Sequence, residues 1–589
     1  MQSPTPSESA LPALRLADFD TVTEALDYAA RGRSGLNFYS GKGELTEVLP
    51  YALLREQATD LARRMLNAGL RPGDTVAMIA ETDGDFLRAF YACQYAGLVP
   101  APMPLPAAFG GKDAYIDHIR RMIQSAGAAA ALAPAFLLDW LNAAATGLDL
   151  KAVGTLAQFA DVPAGGVDLP RVEPGALCYL QFSSGSTRFP LGVAVTQRAL
   201  MANAAGITRH GLQVRPGDRC ISWLPLYHDM GLVGFLLAPL TSQLSVDFLA
   251  TREFARRPLL WLQLMTDNGA TLSYSPSFGY ELAARRAETA STATLDLSRW
   301  RVAGIGGDMV RPRVLSRFAE AFAPRGFRRE AFVASYGMAE ATLALSFAPL
   351  DRGIVTDTAD LDRLENDGVA VPSGSEAARA REFVLCGPAL PAHEIQVRGE
   401  DGTVLPERRV GRIFARGPSL MREYRDRPEE TAQVLSADGW LDTGDLGYVA
   451  DGQIVITGRA KDLILVNGRN IWPQDLEWTA ETGVPSLRSG DTAAFSVDSD
   501  AGEAVTVLVQ CRATDPEARE DLRRAVAGVL RAAHGLEVAV VLVPPHSLPQ
   551  TSSGKLSRSR ARQMFLAGAF AASAAPAGPA AASAPGPAA

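Results

Sequence analysis

The stretch that decides the fold is residues 179–193, YLQFSSGSTRFPLGV, in which an apolar strand runs into a loop of small, hydroxyl-bearing residues. The loop offers successive backbone N–H groups and four hydroxyls, a composition that suits a cradle for a polyphosphate. Its residues are Ser183, Ser184, Gly185, Ser186 and Thr187. The G-x-x-x-x-G-K-[ST] pattern of the familiar ATPase loop does not occur here. Taken alone, the stretch is equally compatible with a Ser/Gly/Thr-rich linker.

Helical and strand patterns alternate around this loop. Apolar positions recur at helical spacing over 53–67, residues 75–80 predict a buried strand, and Asp83 is placed to cap the helix that follows. The cycle repeats over 115–125 and 128–133. Such alternation predicts an α/β fold with mostly parallel sheets, in which ligands bind at the carboxyl ends of strands. The strand 178–182 would deliver the Ser/Gly loop to such an end.

The pattern changes near residue 459, which predicts two domains. A large N-terminal α/β domain is expected over 21–458 and a small, mobile α+β domain over 459–568 on a short hinge. The α+β pattern around and beyond this boundary is predicted to contain strands at 454–457, 492–497, 504–510 and 538–543 and a helix at 517–534. Residues 1–20 and the Ala/Pro-rich residues 569–589 are expected to be disordered, the latter as an extended linker.

Composition excludes several classes of protein. The 589 residues carry a net charge of −8 without long basic runs, which argues against nucleic acid or an anionic membrane as the main partner. Five cysteines without C-x-x-C pairs indicate neither a disulfide framework nor a zinc site, and they fit a reducing cytoplasm. Residues 1–10 lack a secretory signal, and the uncharged run 230–246 is interrupted by glycines and Pro239, which predicts a buried segment and no membrane span.

Six further motifs follow in order along the chain. They are WLPLYHDMG (223–231), AGIGGDM (303–309), SYGMAEAT (335–342), DTGDLG (442–447), TGRAKDLI (457–464) and QTSSGKL (550–556). This ordered set resembles the adenylate-forming superfamily of acyl-CoA synthetases, luciferases and peptide-synthetase adenylation domains, over roughly residues 25–565. Because one motif would be a coincidence and six in order are not, the set argues against the linker interpretation of the loop.

The resemblance implies an ATP- and Mg²⁺-dependent adenylation. In that reaction a carboxylate oxygen attacks the α-phosphorus of ATP and pyrophosphate leaves, so catalysis consists of alignment and of charge neutralisation on phosphate oxygens. By resemblance, the Ser/Gly loop holds the pyrophosphate, while Glu340 and Thr187 hold Mg²⁺. Tyr336 offers a ring face to adenine, Asp445 accepts from the ribose hydroxyls, and Arg459 binds ribose or phosphate. The implied nucleotide site also includes Gly306, Gly307, Asp308, Ser335, Gly337 and Met338.

Two lysines and an apolar region complete the implied site. Lys555 resembles the catalytic lysine of the family, a point charge brought by the small domain to the oxygen between carboxylate and α-phosphate. Lys461 matches the hinge position, although an ordinary exposed lysine fits the same pattern. Candidate walls of the acyl pocket are His228, Met230, Gly231 and Ser277, for which a purely structural role fits equally well.

The phosphate loop departs from the family pattern at two positions. Most relatives have Gly and Lys where this chain has Arg188 and Leu191. The loss of the lysine removes one cation from the pyrophosphate, and the forked guanidinium of Arg188 is a candidate replacement. The alternative is that Arg188 only closes a surface loop.

Within the superfamily, several stretches resemble fatty acyl-AMP ligases. They are LNFY (36–39), PMPLP (102–106), LQFSSGST (180–187), LPLYHDMGL (224–232) and KDLILVNGRNIWPQD (461–475). The resemblance implies a fatty acid substrate and a holo acyl carrier protein as acceptor, located in trans or beyond the C-terminal linker. It also implies an insertion, placed at about 350–382 in the large domain, that restrains the small domain and disfavours coenzyme A. An acyl-CoA synthetase and an inactive acyl- or nucleotide-binding module remain the alternatives.

Overall fold

The computed structural model describes residues 12–106, 111–182, 190–374, 377–466, 468–499, 502–551 and 555–570. The chain divides into two compact units. Unit 1 comprises the described residues within Met1–Ala359 and Arg381–Thr457, and unit 2 comprises those within Asp360–Ala380 and Gly458–Ala589.

The strands are numbered in chain order. They are β1 (Gly35–Tyr39), β2 (Leu45–Pro50), β3 (Thr75–Ile79), β4 (Val99–Met103), β5 (Ala128–Leu132), β6 (Ala152–Gly154), β7 (Leu177–Phe182), β8 (Gly192–Thr196), β9 (Arg219–Ser222), β10 (Ser245–Leu249), β11 (Leu272–Ser275), β12 (Val302–Ile305), β13 (Phe332–Gly337), β14 (Ala344–Phe347), β15 (Thr356–Asp360), β16 (Ala380–Val384), β17 (Glu394–Arg398), β18 (Gly411–Arg416), β19 (Glu423–Tyr424), β20 (Leu441–Ala450), β21 (Gln453–Arg459), β22 (Ile464–Val466), β23 (Arg469–Ile471), β24 (Thr492–Ser499), β25 (Gly502–Gln510) and β26 (Val538–Val543).

The α-helices are numbered in the same way. They are α1 (Val22–Ala29), α2 (Tyr51–Asn67), α3 (Gly84–Ala96), α4 (Lys112–Ser125), α5 (Leu138–Ala145), α6 (Gln197–Ala205), α7 (Asp229–Leu232), α8 (Ala238–Leu240), α9 (Thr251–Arg256), α10 (Pro258–Asn268), α11 (Ser277–Ala287), α12 (Pro312–Phe322), α13 (Leu361–Asp367), α14 (Pro428–Val434), α15 (Pro473–Gly483), α16 (Pro516–His534) and α17 (Arg558–Leu566).

Unit 1 is built on two parallel-rich sheets. The larger has the order β14-β13-β12-β11-β9-β10-β1-β2, in which only the edge strands β14 and β2 pair antiparallel. The second, β4-β3-β5-β6, is parallel throughout. All five residues of β3 are buried, as its apolar run predicts, and Asp83 caps α3 by accepting from the Phe86 N–H at 2.9 Å. The predicted α/β class is confirmed.

The strand before the Ser/Gly loop does not lie in a parallel sheet, so that expectation is wrong. β7 pairs antiparallel with β8, with Leu180 opposite Ala194, and β8 pairs antiparallel with β19. The loop therefore joins two antiparallel neighbours. A continuous apolar run identifies a buried strand but carries no information on the direction of its partner.

Unit 2 contains a three-stranded sheet. β25 pairs antiparallel with β24 and parallel with β26, and a core cluster joins side chains of this sheet to α15 and α16. The segment 360–380, which carries α13, belongs to this unit. The sequence-based assignment of that segment to the large domain is therefore wrong. The sequence places an insertion along the chain, but it does not specify which surface the insertion packs against.

Two expectations of disorder are corrected in part. In 12–20, Ala17 is buried and its N–H donates to the Thr241 carbonyl at 2.8 Å, so this stretch packs on unit 1. Phe570 is likewise buried in a core cluster of unit 2. Residues 1–11 and 571–589 lie outside the described residues. Within the described chain, no helix combines the length and apolarity that crossing a bilayer requires.

Candidate active site

Glu340 lies in a tight turn at the end of the large sheet. β13 ends at Gly337, a 3₁₀ turn covers Ala339–Ala341, and β14 returns antiparallel. A side chain at Gly337 would collide with the Leu343 carbonyl, and Thr342 adopts a φ of +70°, in the left-handed region. This strained turn buries the Glu340 side chain at the strand end.

Two groups of unit 1 hold Glu340 in place. The Tyr424 hydroxyl donates to Glu340 Oε1 at 2.8 Å, and the Met421 N–H donates to the Glu340 carbonyl at 2.7 Å. Burial, together with the neighbouring Glu340 charge, raises the pKa of Tyr424 well above its usual value, so the phenol remains a donor. A hydrogen bond to a charged acceptor contributes about 1.5–3 kcal/mol. The carboxylate is therefore held in a fixed orientation.

A second layer of polar contacts fixes the segment that carries Met421. Thr342 Oγ1 donates to the Ser419 carbonyl at 2.6 Å, and His393 Nε2 lies 2.6 Å from Ser419 Oγ. Burial lowers the pKa of His393, against a smaller opposing effect of the Pro391 carbonyl, so the imidazole is held neutral. This network is structural support for the Glu340 turn.

Tyr336 and Asp445 are brought together from distant parts of the sequence. The Tyr336 hydroxyl, at the end of β13, donates to Asp445 Oδ2 in β20 at 2.8 Å. Asp445 follows Gly444, whose φ is +73°, and its own N–H donates to Thr443 Oγ1 at 3.2 Å. The predicted adenine and ribose residues thus share one hydrogen bond, with Tyr336 buried and Asp445 partly exposed.

The glycines of the AGIGGDM motif serve close packing and chain reversal. A Cβ at Gly306 would lie 2.9 Å from Ser335 Oγ, and Gly307 adopts a φ of +80°. The Asp308 carboxylate that follows lies 3.4 Å from the Ser277 N–H. Ser277 Oγ in turn accepts from the Arg311 N–H at 3.3 Å, so this hydroxyl holds the 308–311 loop. The structure therefore places one predicted acyl-pocket residue against one predicted nucleotide residue.

The remaining predicted pocket residues start a short helix. His228 precedes α7, with its Nδ1 2.5 Å from Asp229 Oδ1. Met230 and Gly231 are buried, and a side chain at Gly231 would collide with the Pro225 carbonyl. Gln181 of β7 donates from Nε2 to the Tyr227 carbonyl at 2.7 Å, which ties the strand before the Ser/Gly loop to this segment.

Three predicted residues belong to unit 2. Arg459 ends β21 and Lys461 lies in the following 3₁₀ turn, and both are exposed. Lys555 is partly buried in a chain reversal in which its carbonyl accepts from the Thr551 N–H at 2.7 Å and its N–H donates to Thr551 Oγ1 at 3.2 Å.

The phosphate loop itself, Ser183–Thr187 with Arg188, lies outside the described residues. Leu191, the position at which the motif resemblance leads us to expect a lysine, packs its side chain against the main core of unit 1. Its side chain is apolar and partly buried, and it supplies no cation.

The residues present fit a magnesium ion. The described residues contain no cluster of three or more His, Cys, Asp or Glu side chains able to hold a metal. Mg²⁺ that binds a nucleotide is held by one or two carboxylates with the substrate phosphates and water, so a single buried carboxylate such as Glu340 suffices. The hydroxyl of Thr187 is an oxygen donor of the same hard type.

Sequence reasoning missed Tyr424 and Gln181. Tyr424 is 84 residues from Glu340, and Gln181 is 46 residues from Tyr227. A chemically ordinary tyrosine in a two-residue strand carries no local pattern, and only the pairing of β19 with β8 places it near the turn.

Comparisons with known proteins identify the family of this chain. A family model described as AMP-binding enzyme matches residues 31–425. A protein of Caulobacter vibrioides (strain NA1000 / CB15N), provisionally named an acyl-CoA synthetase, is 58% identical over 97% of this chain and 99% of its own. The medium-chain-fatty-acid–[acyl-carrier-protein] ligase JamA of Moorena producens (strain JHB) is 31% identical over 94% of this chain and 96% of its own.

A solved structure supports the same family assignment. It comes from a study of fatty acyl-adenylate ligases of E. coli and L. pneumophila, superposes with a TM-score of 0.91 at 45% identity, and covers 95% of this chain and 100% of its own. The family match, the relatives and this structure confirm the resemblance seen in the motifs. The chain belongs to the AMP-binding enzyme family, among the adenylate-forming fatty acyl-AMP ligases.

Proposed function

We propose that this protein activates a fatty acid with ATP and transfers the acyl group to the phosphopantetheine thiol of an acyl carrier protein. The observation that carries the first step is the pairing of predicted nucleotide and metal residues in unit 1. Tyr336 lies 2.8 Å from Asp445, and Glu340 is held by Tyr424 in the turn that follows the same strand. The end of β13 thus presents an aromatic ring and the proposed metal ligand, beside the proposed ribose acceptor in β20 of a second sheet.

In the first half-reaction a fatty acid carboxylate oxygen attacks the α-phosphorus of ATP. A new P–O bond forms, the bond to the β-phosphate oxygen breaks, and pyrophosphate leaves with the electron pair. Asp445 accepts from the ribose hydroxyls and Tyr336 packs on adenine, which fixes the α-phosphate for in-line attack. Lys555 supplies positive charge to the oxygen that joins the acyl group to phosphorus.

Glu340 and Thr187 would hold Mg²⁺. When bound, the ion neutralises charge on the phosphate oxygens. Arg188 is the proposed substitute for the missing loop lysine, and its guanidinium would contact the pyrophosphate. An Arg188→Ala variant with unaltered ATP affinity and adenylation rate would refute that role.

In the second half-reaction the thiol sulfur of the carrier attacks the acyl carbon. The C–O bond to AMP breaks, the thiol proton passes to solvent, and AMP leaves. The preference for a carrier over coenzyme A is supported by the segment 360–380. It leaves unit 1 at Ala359, packs in unit 2, and returns to unit 1 at Arg381.

The contacts of Glu365 hold this segment in unit 2. Glu365 in α13 is buried, and its Oε2 accepts at 2.5 Å from Arg379 and from Arg469 of β23. Arg469 also donates to the His534 carbonyl at 3.1 Å. The chain therefore crosses between the units at three places. The segment is thus tied to unit 2 by a buried, doubly paired carboxylate and to unit 1 by its two chain connections, and we propose that this restraint disfavours coenzyme A.

The relatives point to two acceptors. The name of JamA specifies an acyl carrier protein, whereas the name of the Caulobacter relative specifies coenzyme A. We favour the acyl carrier protein as acceptor because the contacts of segment 360–380 provide a physical reason to disfavour coenzyme A. An acyl-CoA synthetase is the second candidate.

The test is a product analysis. Incubation with ATP, Mg²⁺ and a panel of short to long fatty acids, with either coenzyme A or a holo carrier protein, is expected to yield acyl-adenylate and acyl carrier but little acyl-CoA. Acyl-CoA as the main product would replace the carrier proposal with the synthetase. A lack of ATP–pyrophosphate exchange with every fatty acid would favour an inactive module.

A further inference from the structure

Arg558 lies three residues after Lys555 and forms a dense ion-pair cluster inside unit 2. Its Nε and Nη2 donate to the two carboxylate oxygens of Glu477 at 2.8 and 2.7 Å, and its Nη1 donates to Asp462 Oδ2 at 3.2 Å. The side chains of Arg558, Glu477 and Asp462 are 20%, 5% and 13% exposed. The cluster is therefore largely buried, and each of the three guanidinium nitrogens of Arg558 donates to a carboxylate oxygen.

The cluster joins three pieces of unit 2. Arg558 begins α17, directly after the chain reversal that carries Lys555. Glu477 lies in α15 and its Oε1 also accepts from the Ala494 N–H of β24 at 3.0 Å. Asp462 ends the 3₁₀ turn Ala460–Asp462, next to Lys461. One guanidinium thus links the segment that carries Lys555 and the turn Ala460–Asp462, which contains the proposed hinge Lys461 and is called the hinge turn below, to the body of the unit.

The chemistry of the cluster favours arginine. Burial lowers the pKa of Arg558, but the carboxylates of Glu477 and Asp462 outweigh it and raise the pKa above its usual value. The group is therefore charged at every physiological pH. The planar fork engages Glu477 with two bonds and leaves a third donor for Asp462, an arrangement that an ammonium group cannot reproduce.

We infer that Arg558 is a positioning residue that keeps the lysine segment and the hinge turn as one rigid piece. When the backbone torsions at Lys461 change, the segment that carries the ammonium group of Lys555 then moves with the hinge turn as one rigid body. Because a displacement of about 1 Å costs up to about a hundredfold in rate, this rigidity matters for adenylation. The inference rests on the proposed roles of Lys555 and Lys461.

The two half-reactions separate this role from a purely structural one. Lys555 acts on adenylation, whereas transfer from ready-made acyl-adenylate does not use its charge. Arg558→Gln is expected to lower kcat for adenylation about ten- to a hundredfold with the ATP KM little changed. Acyl transfer from supplied acyl-adenylate to holo carrier protein should stay within about twofold of the wild type. Arg558→Lys keeps the charge without the forked donor set. Its kcat for adenylation should lie between those of the wild type and Arg558→Gln.

Controls make the outcomes distinguishable. Arg524→Gln removes an arginine of the same unit whose pair with Asp521 is exposed, and it should change neither half-reaction. Lys555→Ala should lose about a hundredfold or more of adenylation. If it does not, the proposed function fails; if it does and Arg558→Gln keeps full activity, the inference alone fails.

An equal loss in both half-reactions of folded Arg558→Gln would also overturn the inference, because it would show a structural role. Should Arg558→Gln not fold, Asp462→Asn removes only the contact to the hinge turn. This second variant is expected to lose adenylation selectively. Unchanged adenylation, or an equal loss in both half-reactions, would overturn the inference.

Discussion

The Tyr424 hydroxyl lies 2.8 Å from Glu340 Oε1 and donates to it. The two residues come from different strands, and the contact forms because β19 pairs with β8 beside the turn that follows β13. Glu340 is the proposed magnesium ligand, so Tyr424 acts as the partner that orients it. Residues that orient a metal ligand typically change metal affinity about 10–100-fold when removed.

Tyr424→Phe is expected to raise the Mg²⁺ concentration needed for half-maximal ATP–pyrophosphate exchange about tenfold. The variant deletes only the hydroxyl, so the carboxylate keeps its charge and loses its orientation. Tyr448→Phe is the matched control, because Tyr448 donates to the Asp357 carboxylate at 2.7 Å elsewhere in unit 1. An identical Mg²⁺ dependence in wild type and Tyr424→Phe would show that Tyr424 does not orient the proposed magnesium ligand Glu340.

Asp445→Ala is expected to weaken discrimination between ATP and 2′-deoxy-ATP. The wild type should prefer ATP because the carboxylate accepts from the ribose hydroxyls. A lost hydrogen bond to a charged group is worth about 1.5–3 kcal/mol, or roughly ten- to a hundredfold in kcat/KM. Steady-state adenylation with both nucleotides measures the ratio. A variant that retains the wild-type preference would show that ribose is recognised elsewhere.

Glu365→Gln is expected to raise acyl-CoA output relative to acyl carrier. The amide carries no negative charge to pair with the two guanidinium groups, so the segment 360–380 is held less firmly in unit 2. Asp362→Asn is the matched control, because Asp362 pairs with Arg379 at 2.6 Å and its side chain is 47% exposed. Product ratios by mass spectrometry decide the matter, and a folded Glu365→Gln variant with no gain in acyl-CoA would contradict the proposed restraint.

Asp83→Asn is expected to stabilise the protein more at pH 8 than at pH 5. Burial, with smaller effects of Asp85, Glu81 and Glu47, raises the pKa of Asp83 from 3.8 to about 6 despite the capping bond from Phe86. A carboxyl whose pKa is higher in the folded state contributes stability at low pH, and this contribution is lost as pH rises through about 6.

The asparagine amide in this variant remains neutral at both pH values and keeps an acceptor for the cap. Melting temperatures at the two pH values provide the comparison, with Asp113→Asn, an exposed acidic residue in the first turn of α4, as the control. Equal shifts at both pH values would show that burial does not perturb Asp83.

Much of the fold was predictable from local patterns. The helix predicted over 53–67 is α2, the strand over 75–80 is β3, and the strand over 538–543 is β26. These elements have strong apolar periodicity or continuous apolar runs, which report burial directly. The direction of β7 relative to β8 was not predictable, because strand pairing is set by contacts distant in sequence.

The candidate site, like the fold, could be predicted from the sequence only in part. Motif resemblance supplied Glu340, Tyr336 and Asp445, and the structure brings the last two into contact. It could not supply Tyr424 or Arg558, whose roles depend on carboxylates 84 and 81 residues away. Residues that position others have no spacing signature of their own, since their partners are chosen by the fold.

The most direct measurement of the central claim is a side-by-side product assay of wild type and Lys555→Ala with ATP, Mg²⁺ and a fatty acid, with holo carrier protein or coenzyme A. We predict that the wild type forms acyl-adenylate and acyl carrier with little acyl-CoA, and that the variant loses about a hundredfold or more of adenylate synthesis. Undiminished adenylate from a folded variant, or acyl-CoA as the main product of the wild type, would contradict the account.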